Sequence, residues 1–169
     1  VPSVKADAQP GAPFGEEVKR MLHMALEDGE KMGFAARNID EYAGDLRMGP
    51  IGVEPLGILA HLDVVSEGSG WTFPPYEGTI QDGRIYGRGS ADDKGPAVVA
   101  LWAAKAAREI NPNLSKGCRI ILGSAEETGS QDLDYYLARE KAPEWCFSPD
   151  ADFPVACGGK ALIGDIAQP

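Results

Sequence analysis

The sequence predicts an α/β domain with a mainly parallel sheet flanked by helices. Two observations point there. Three short apolar runs, at 55–62 (PLGILAHL), 118–123 (CRIILG) and 144–148 (EWCFS), read as strands buried on both faces. Helical patterns fall between them, and strands that alternate with helices are the signature of a parallel sheet.

Taken in order, residues 1–15 are rich in Pro, Ala and Gly and read as a loop. Over 16–33 the apolar residues Val18, Met21, Leu22, Ala25, Leu26 and Met32 recur at helical spacing, and Gly33 is a suitable stop. Gly29 counts against that helix from inside it. A short strand is expected over 34–39, and the buried strand 55–62 comes next. Residues 66–79 (SEGSGWTFPPYEGT) are turn-rich and predict a loop. Residues 80–86 predict a hairpin about Asp82-Gly83. The clearest helix is 96–110, opened by Pro96, rich in Ala, with Pro112 just beyond its end. After strand 118–123, Ser130 stands at an N-cap position and predicts a helix to about Lys141. Strand 144–148 is stopped by Pro149.

The 169 residues suit one domain, and 43% apolar residues suffice for a core. A net charge of -10 argues against a nucleic-acid binder, because no basic stripe exists to displace counterions from phosphates. It also argues against an anionic membrane surface. The three cysteines, Cys118, Cys146 and Cys157, are odd in number and form no C-x-x-C, which argues against a disulfide framework or a structural zinc knot. Cys118 and Cys146 lie in apolar runs and read as core residues. No apolar run is long enough to span a bilayer and no signal peptide is visible, so a cytoplasmic protein is expected. The chain opens without Met and closes just after a new strand-like run begins, so a fragment is expected.

The chemistry lies at the strand ends. PLGILAHL delivers His61 and Asp63, IYGRGSA delivers Asp92 and Asp93, CRIILGSA delivers Glu126 and Glu127, and EWCFSP delivers Asp150. In open α/β sheets the ligand crevice lies at the C-terminal ends of the strands. Each segment has an ordinary reading of its own. His61 could be a core histidine, Asp92-Asp93 an acidic pair at a helix start, Glu126-Glu127 a solvated turn, and Asp150 a turn aspartate. Together they share one placement. Two unit charges about 4 Å apart repel by about 4 kcal/mol at an effective dielectric near ~20. Several such pairs need cations or raised pKa values. Mixed imidazole and carboxylate donors suit zinc, and also manganese or cobalt. A phosphate site is disfavoured: Gly87-Arg88-Gly89 lacks the rest of G-x-G-x-x-G, and Lys94 has no G-K-[ST] context.

The segments G-I-L-A-H61-L-D63, G87-R-G-S-A-D92-D93-K-G and A-E126-E127-T-G resemble the signature motifs of the M20 zinc metallopeptidases. W71-T-F-P-P-Y and S-P-D150-A-D-F-P are similar to the PepV-like bacterial dipeptidase branch. The resemblance runs from about Gly11 to the end. It implies a zinc-peptidase (phosphorylase/hydrolase-like) catalytic domain, with residues 1–169 as a part truncated before the lid domain and lacking the C-terminal part of the catalytic domain. It implies two zinc ions per full-length chain, with Mn2+ or Co2+ as substitutes. Asp92 would bridge them, His61 and Asp150 would complete one site, and Glu127 would bind the other metal. Asp63 would orient His61, Glu126 would be the general base, and the Asp92-Asp93 peptide would be cis. The implied reaction is hydrolysis of a small dipeptide by metal-activated water. A related amidohydrolase, acting on an N-acyl amino acid or N-succinyl-diaminopimelate, and an inactive metal-binding fragment are the alternatives. The family's second zinc takes a further histidine from later in the chain. The only other histidine here, His23, is far too early and reads as a structural or surface residue.

Overall fold

A computed structural model of the chain describes residues 1–150 and two further strands at 155–158 and 161–163. Helix α1 (Glu16–Lys31) is followed by strands β1 (Ala35–Ile39), β2 (Ala43–Met48) and β3 (Leu56–His61). A hairpin, β4 (Thr79–Gln81) and β5 (Arg84–Tyr86), precedes helix α2 (Lys94–Ile110) and strand β6 (Cys118–Gly123). A 3-10 turn at Glu126–Thr128, helix α3 (Gln131–Leu137) and strands β7 (Trp145–Ser148), β8 (Val155–Gly158) and β9 (Ala161–Ile163) complete it.

The α/β class holds, and the sheet order is β1-β2-β6-β3-β7-β8-β9. The parallel pairs are β3 with β6 and β3 with β7. Antiparallel strands flank this centre on both sides, so the sheet is mixed. Its two faces follow the strand period of two. Ile58, Ala60, Ile120 and Leu122 face α1 and α2, with Leu22, Leu26, Ala97 and Leu101 packed on them. Leu59 and Ile121 face the other way, toward Tyr136 and Leu133 of α3.

Gly29 proves compatible with α1 because the helix lies directly on β2: a Cβ there would meet Leu46 at 2.6 Å. The 80–86 hairpin forms as predicted. Asp82 (φ 51°) and Gly83 (φ 72°) both take positive φ, as a two-residue turn matched to strand twist requires.

Two elements differ from expectation. Strand β2 carries Gly44, Asp45 and Arg47, which gave no strand signal. It forms because the buried Asp45 carboxylate accepts hydrogen bonds from Arg119 and Arg47, each as short as 2.8 Å, and from the Tyr136 hydroxyl at 2.9 Å. Helix α3 ends at Leu137, short of Lys141, where Glu140 is drawn aside into ion pairs with Arg37, Arg47 and Arg119. Ser130 does precede α3, but with φ 53° and no side-chain cap bond.

Candidate metal centre

Register brings the candidate residues level. His61 closes β3 opposite Gly123 of β6, and Glu126 and Glu127 follow in the turn just after that strand. Ile58 pairs with Phe147 of β7, so Asp150, three residues on, comes level with His61, three residues past Ile58. Helix α2 packs on β3 and β6, and its start delivers Asp92 and Asp93 to the same end. The Asp92-Asp93 peptide is cis, as the resemblance implied. The rest of the S-P-D-A-D-F-P motif after Asp150 lies outside the described residues.

The buried His61 imidazole is the centre of the cluster. Its Nε2 is 3.0 Å from Asp92 Oδ1 and 3.8 Å from both Glu126 Oε2 and Asp150 Oδ1. On the other side, Nδ1–H donates to the Asp63 carbonyl at 3.0 Å and stands 3.3 Å from Asp63 Oδ1. Burial alone would lower the His61 pKa. The Asp63 hydrogen bond and charge, with Asp93 and Asp150 behind it, outweigh burial and raise it to about 10.

Asp63 is buried and does more than face His61. Its two carboxylate oxygens accept the backbone N–H groups of Glu126 and Glu127, each at 3.1 Å. One side chain therefore fixes both the imidazole and the turn that carries the two glutamates. Burial raises the pKa of Glu126, helped by Asp150 and Glu127 and opposed by His61. Glu127 is raised by burial and then by Asp92.

Two groups have donor atoms within 4.8 Å of one another: His61 with Asp92 and Glu127, and His61 with Asp93 and Asp150. All four residues predicted to bind metal thus gather at the end of the sheet where β3 and β6 finish. Asp93, outside the ligand set that the resemblance implies, joins them. Asp93 is fully buried, its Oδ2 accepts the His61 backbone N–H at 3.0 Å, and its Oδ1 has no hydrogen-bond partner. Burial lifts its pKa to about 6. The second position of the Asp-Asp pair was the available signal, read only as a charge at a helix start. His23 is elsewhere, paired with Glu41 at 2.8 Å on an exposed surface, as expected.

This donor set fits a divalent cation. Several carboxylates and one imidazole, whose Nδ1–H is already committed, converge from separate elements, and one buried carboxylate oxygen is unpaired. Among the described residues no helix is long and apolar enough to cross a membrane.

Comparison with known proteins gives the same direction. Residues 57–163 match Peptidase family M20/M25/M40. The protein YtjP of Bacillus subtilis is 44% identical over 156 residues, covering 92% of this chain and 34% of the relative. The Beta-Ala-Xaa dipeptidase of Lactobacillus delbrueckii subsp. lactis is 39% identical over 152 residues, covering 89% and 32%. Human carnosine dipeptidase 1 superposes with a TM-score of 0.71 at 25% identity, covering 88% of this chain and 36% of that one. The chain spans about a third of the length of the curated relatives it matches.

Proposed function

Since the chain belongs to Peptidase family M20/M25/M40, we propose that it carries the metal-holding part of a dipeptidase, whose substrate is a small dipeptide. The observation that supports this most is the convergence of carboxylates from separate elements on His61 Nε2. In this reading His61, Asp92 and Asp150 hold one zinc, Asp92 and Glu127 a second, and manganese or cobalt can substitute. Asp92, half exposed and grouped with His61 and Glu127, would be the carboxylate common to the two. Asp93 already spends one oxygen on the His61 backbone.

Bound zinc ions would acidify a shared water and polarise the scissile carbonyl. The protein's own part is orientation and proton transfer. The Asp63 carbonyl and carboxylate hold the His61 ring so that Nε2 faces the cluster. The Glu126 carboxylate, half exposed beside Nε2, takes a proton from the attacking water and passes it to the leaving amine. Its raised pKa brings it closer to the range a general base and acid needs.

The second zinc has few donors within these 169 residues, and the relatives are about three times as long. Full activity is therefore proposed for a protein of the relatives' length, acting in the cytoplasm, with this chain alone a poor peptidase. The test is an assay of dipeptides against N-acetyl amino acids on that longer protein, with chelator and then zinc added back. Dipeptide hydrolysis that stops with chelator and returns with zinc is expected. A preference for N-acetyl amino acids would make it a related amidohydrolase. Hydrolysis indifferent to chelator would overturn the metal mechanism.

A further inference from the structure

The first fifteen residues read as a featureless loop in the sequence, but they are tied to the cluster at three separate points. Ser3 is fully buried. Its Oγ donates to the Leu62 carbonyl at 2.6 Å, and its carbonyl accepts the Val64 N–H at 3.1 Å. Those two bonds grip the residues on either side of Asp63. Lys94, in the first turn of α2 just after Asp92 and Asp93, donates from Nζ to the Val1 carbonyl at 2.7 Å. Phe14 packs with Val18 on Ala125, the residue before Glu126. The segment is folded back on itself between these anchors: the Ala6 N–H donates to the Phe14 carbonyl at 3.0 Å, and Gln9 and Ala12 pair across a turn.

We infer that the N-terminal segment is a brace for the metal centre, and that Ser3 is a positioning residue acting through Asp63. The physical argument is short. Asp63 serves His61 through its carbonyl and carboxylate, and serves Glu126 and Glu127 through both carboxylate oxygens. Its backbone lies past the last residue of β3, where ladder hydrogen bonds no longer fix it. Leu62 N–H continues the pairing, to Gly123. Ser3 supplies the missing partners on both flanks. Losing the hydroxyl leaves the Leu62 carbonyl without that donor and lets the 62–64 segment shift. A shift there moves the imidazole and the glutamate turn together, and metal affinity responds steeply to such outer contacts.

This inference rests on the metal reading, so its test separates the two. Zinc affinity is measured by competition with a chromophoric chelator, on the wild-type chain, Ser3→Ala and Ile39→Val, alongside thermal melts. Ile39 lies in the opposite core cluster and serves as a remote destabilised control. The cobalt-loaded proteins are compared by visible absorption, which reports donor geometry. The brace predicts about 10-fold weaker zinc and an altered cobalt spectrum for Ser3→Ala, and neither change for Ile39→Val. Wild-type affinity and spectrum in Ser3→Ala would overturn the brace alone, and so would equal weakening in both variants. A wild-type chain that binds no zinc would overturn the metal reading itself.

Discussion

Oδ1 of Asp63 stands 3.3 Å from Nδ1 of His61, and the same carboxylate accepts the N–H groups of Glu126 and Glu127. Asp63→Ala removes the carboxylate from the His61 ring and from the glutamate turn at once, and leaves the backbone carbonyl that accepts Nδ1–H. The expected result is a 10- to 100-fold loss of zinc affinity, the range of about 10–100-fold seen when such outer contacts are removed. Isothermal titration with zinc checks it, and unchanged affinity would remove Asp63 from the site.

Glu126 and Glu127 are neighbours with separate predicted roles. In a protein of the relatives' length, Glu126→Gln should cut turnover by about 10²-fold or more with metal content held. Glu127→Gln should lose metal. Elemental analysis beside an activity assay distinguishes them, and the reverse pattern would exchange the assignments.

The proton on His61 competes with metal. Its folded pKa of about 10 lies above the ordinary value of 6.5, so between pH 6 and 8 the metal-free imidazole is protonated. Metal uptake must release that proton. Zinc affinity should therefore rise with pH, by about tenfold per unit from this group alone. Titrations at pH 6, 7 and 8 in buffers of known zinc affinity test the slope. A flat profile would mean that the metal-free imidazole carries no proton over that range.

Away from the site, Asp45 carries the largest predicted effect on stability. Burial alone would raise its pKa, but the Arg47 and Arg119 hydrogen bonds outweigh it and hold the carboxyl below the usual range. A lowered folded pKa means stability that is present above about pH 4 and lost as pH falls through the folded value. Asp45→Asn removes one of the two carboxylates paired with the buried Arg119, leaving Glu140 at 3.1 Å, at an expected cost of about 1–3 kcal/mol. Urea denaturation at pH 7 measures it. A loss within ~0.5 kcal/mol would show that the network adds little.

What the sequence reveals here is what local pattern encodes. The strand at Leu56–His61 is a short apolar run that ends on His61, and the helix at Lys94–Ile110 is Ala-rich, with Asp92 and Asp93 just before its readable start. Strand β2 was illegible because its justification, an Arg119 guanidinium 74 residues away, is not local. Gly44 added to the disguise: α1 lies so close that a Cβ there would meet Leu26 at 3.0 Å. The antiparallel flanks were hidden for the same reason, since a strand's own residues do not state its partner's direction. Ser3 carries no signal at all until Leu62, 59 residues on, folds against it.

The central claim, that His61 and the carboxylates around it hold a metal ion, is tested most directly by zinc content after exhaustive dialysis, for wild type and His61→Ala with matching circular dichroism. The account predicts about one tightly held zinc per wild-type chain, the number its best-provided donor group supports, and close to none in the variant. Equal zinc in the two proteins, or none in the wild type, would contradict it.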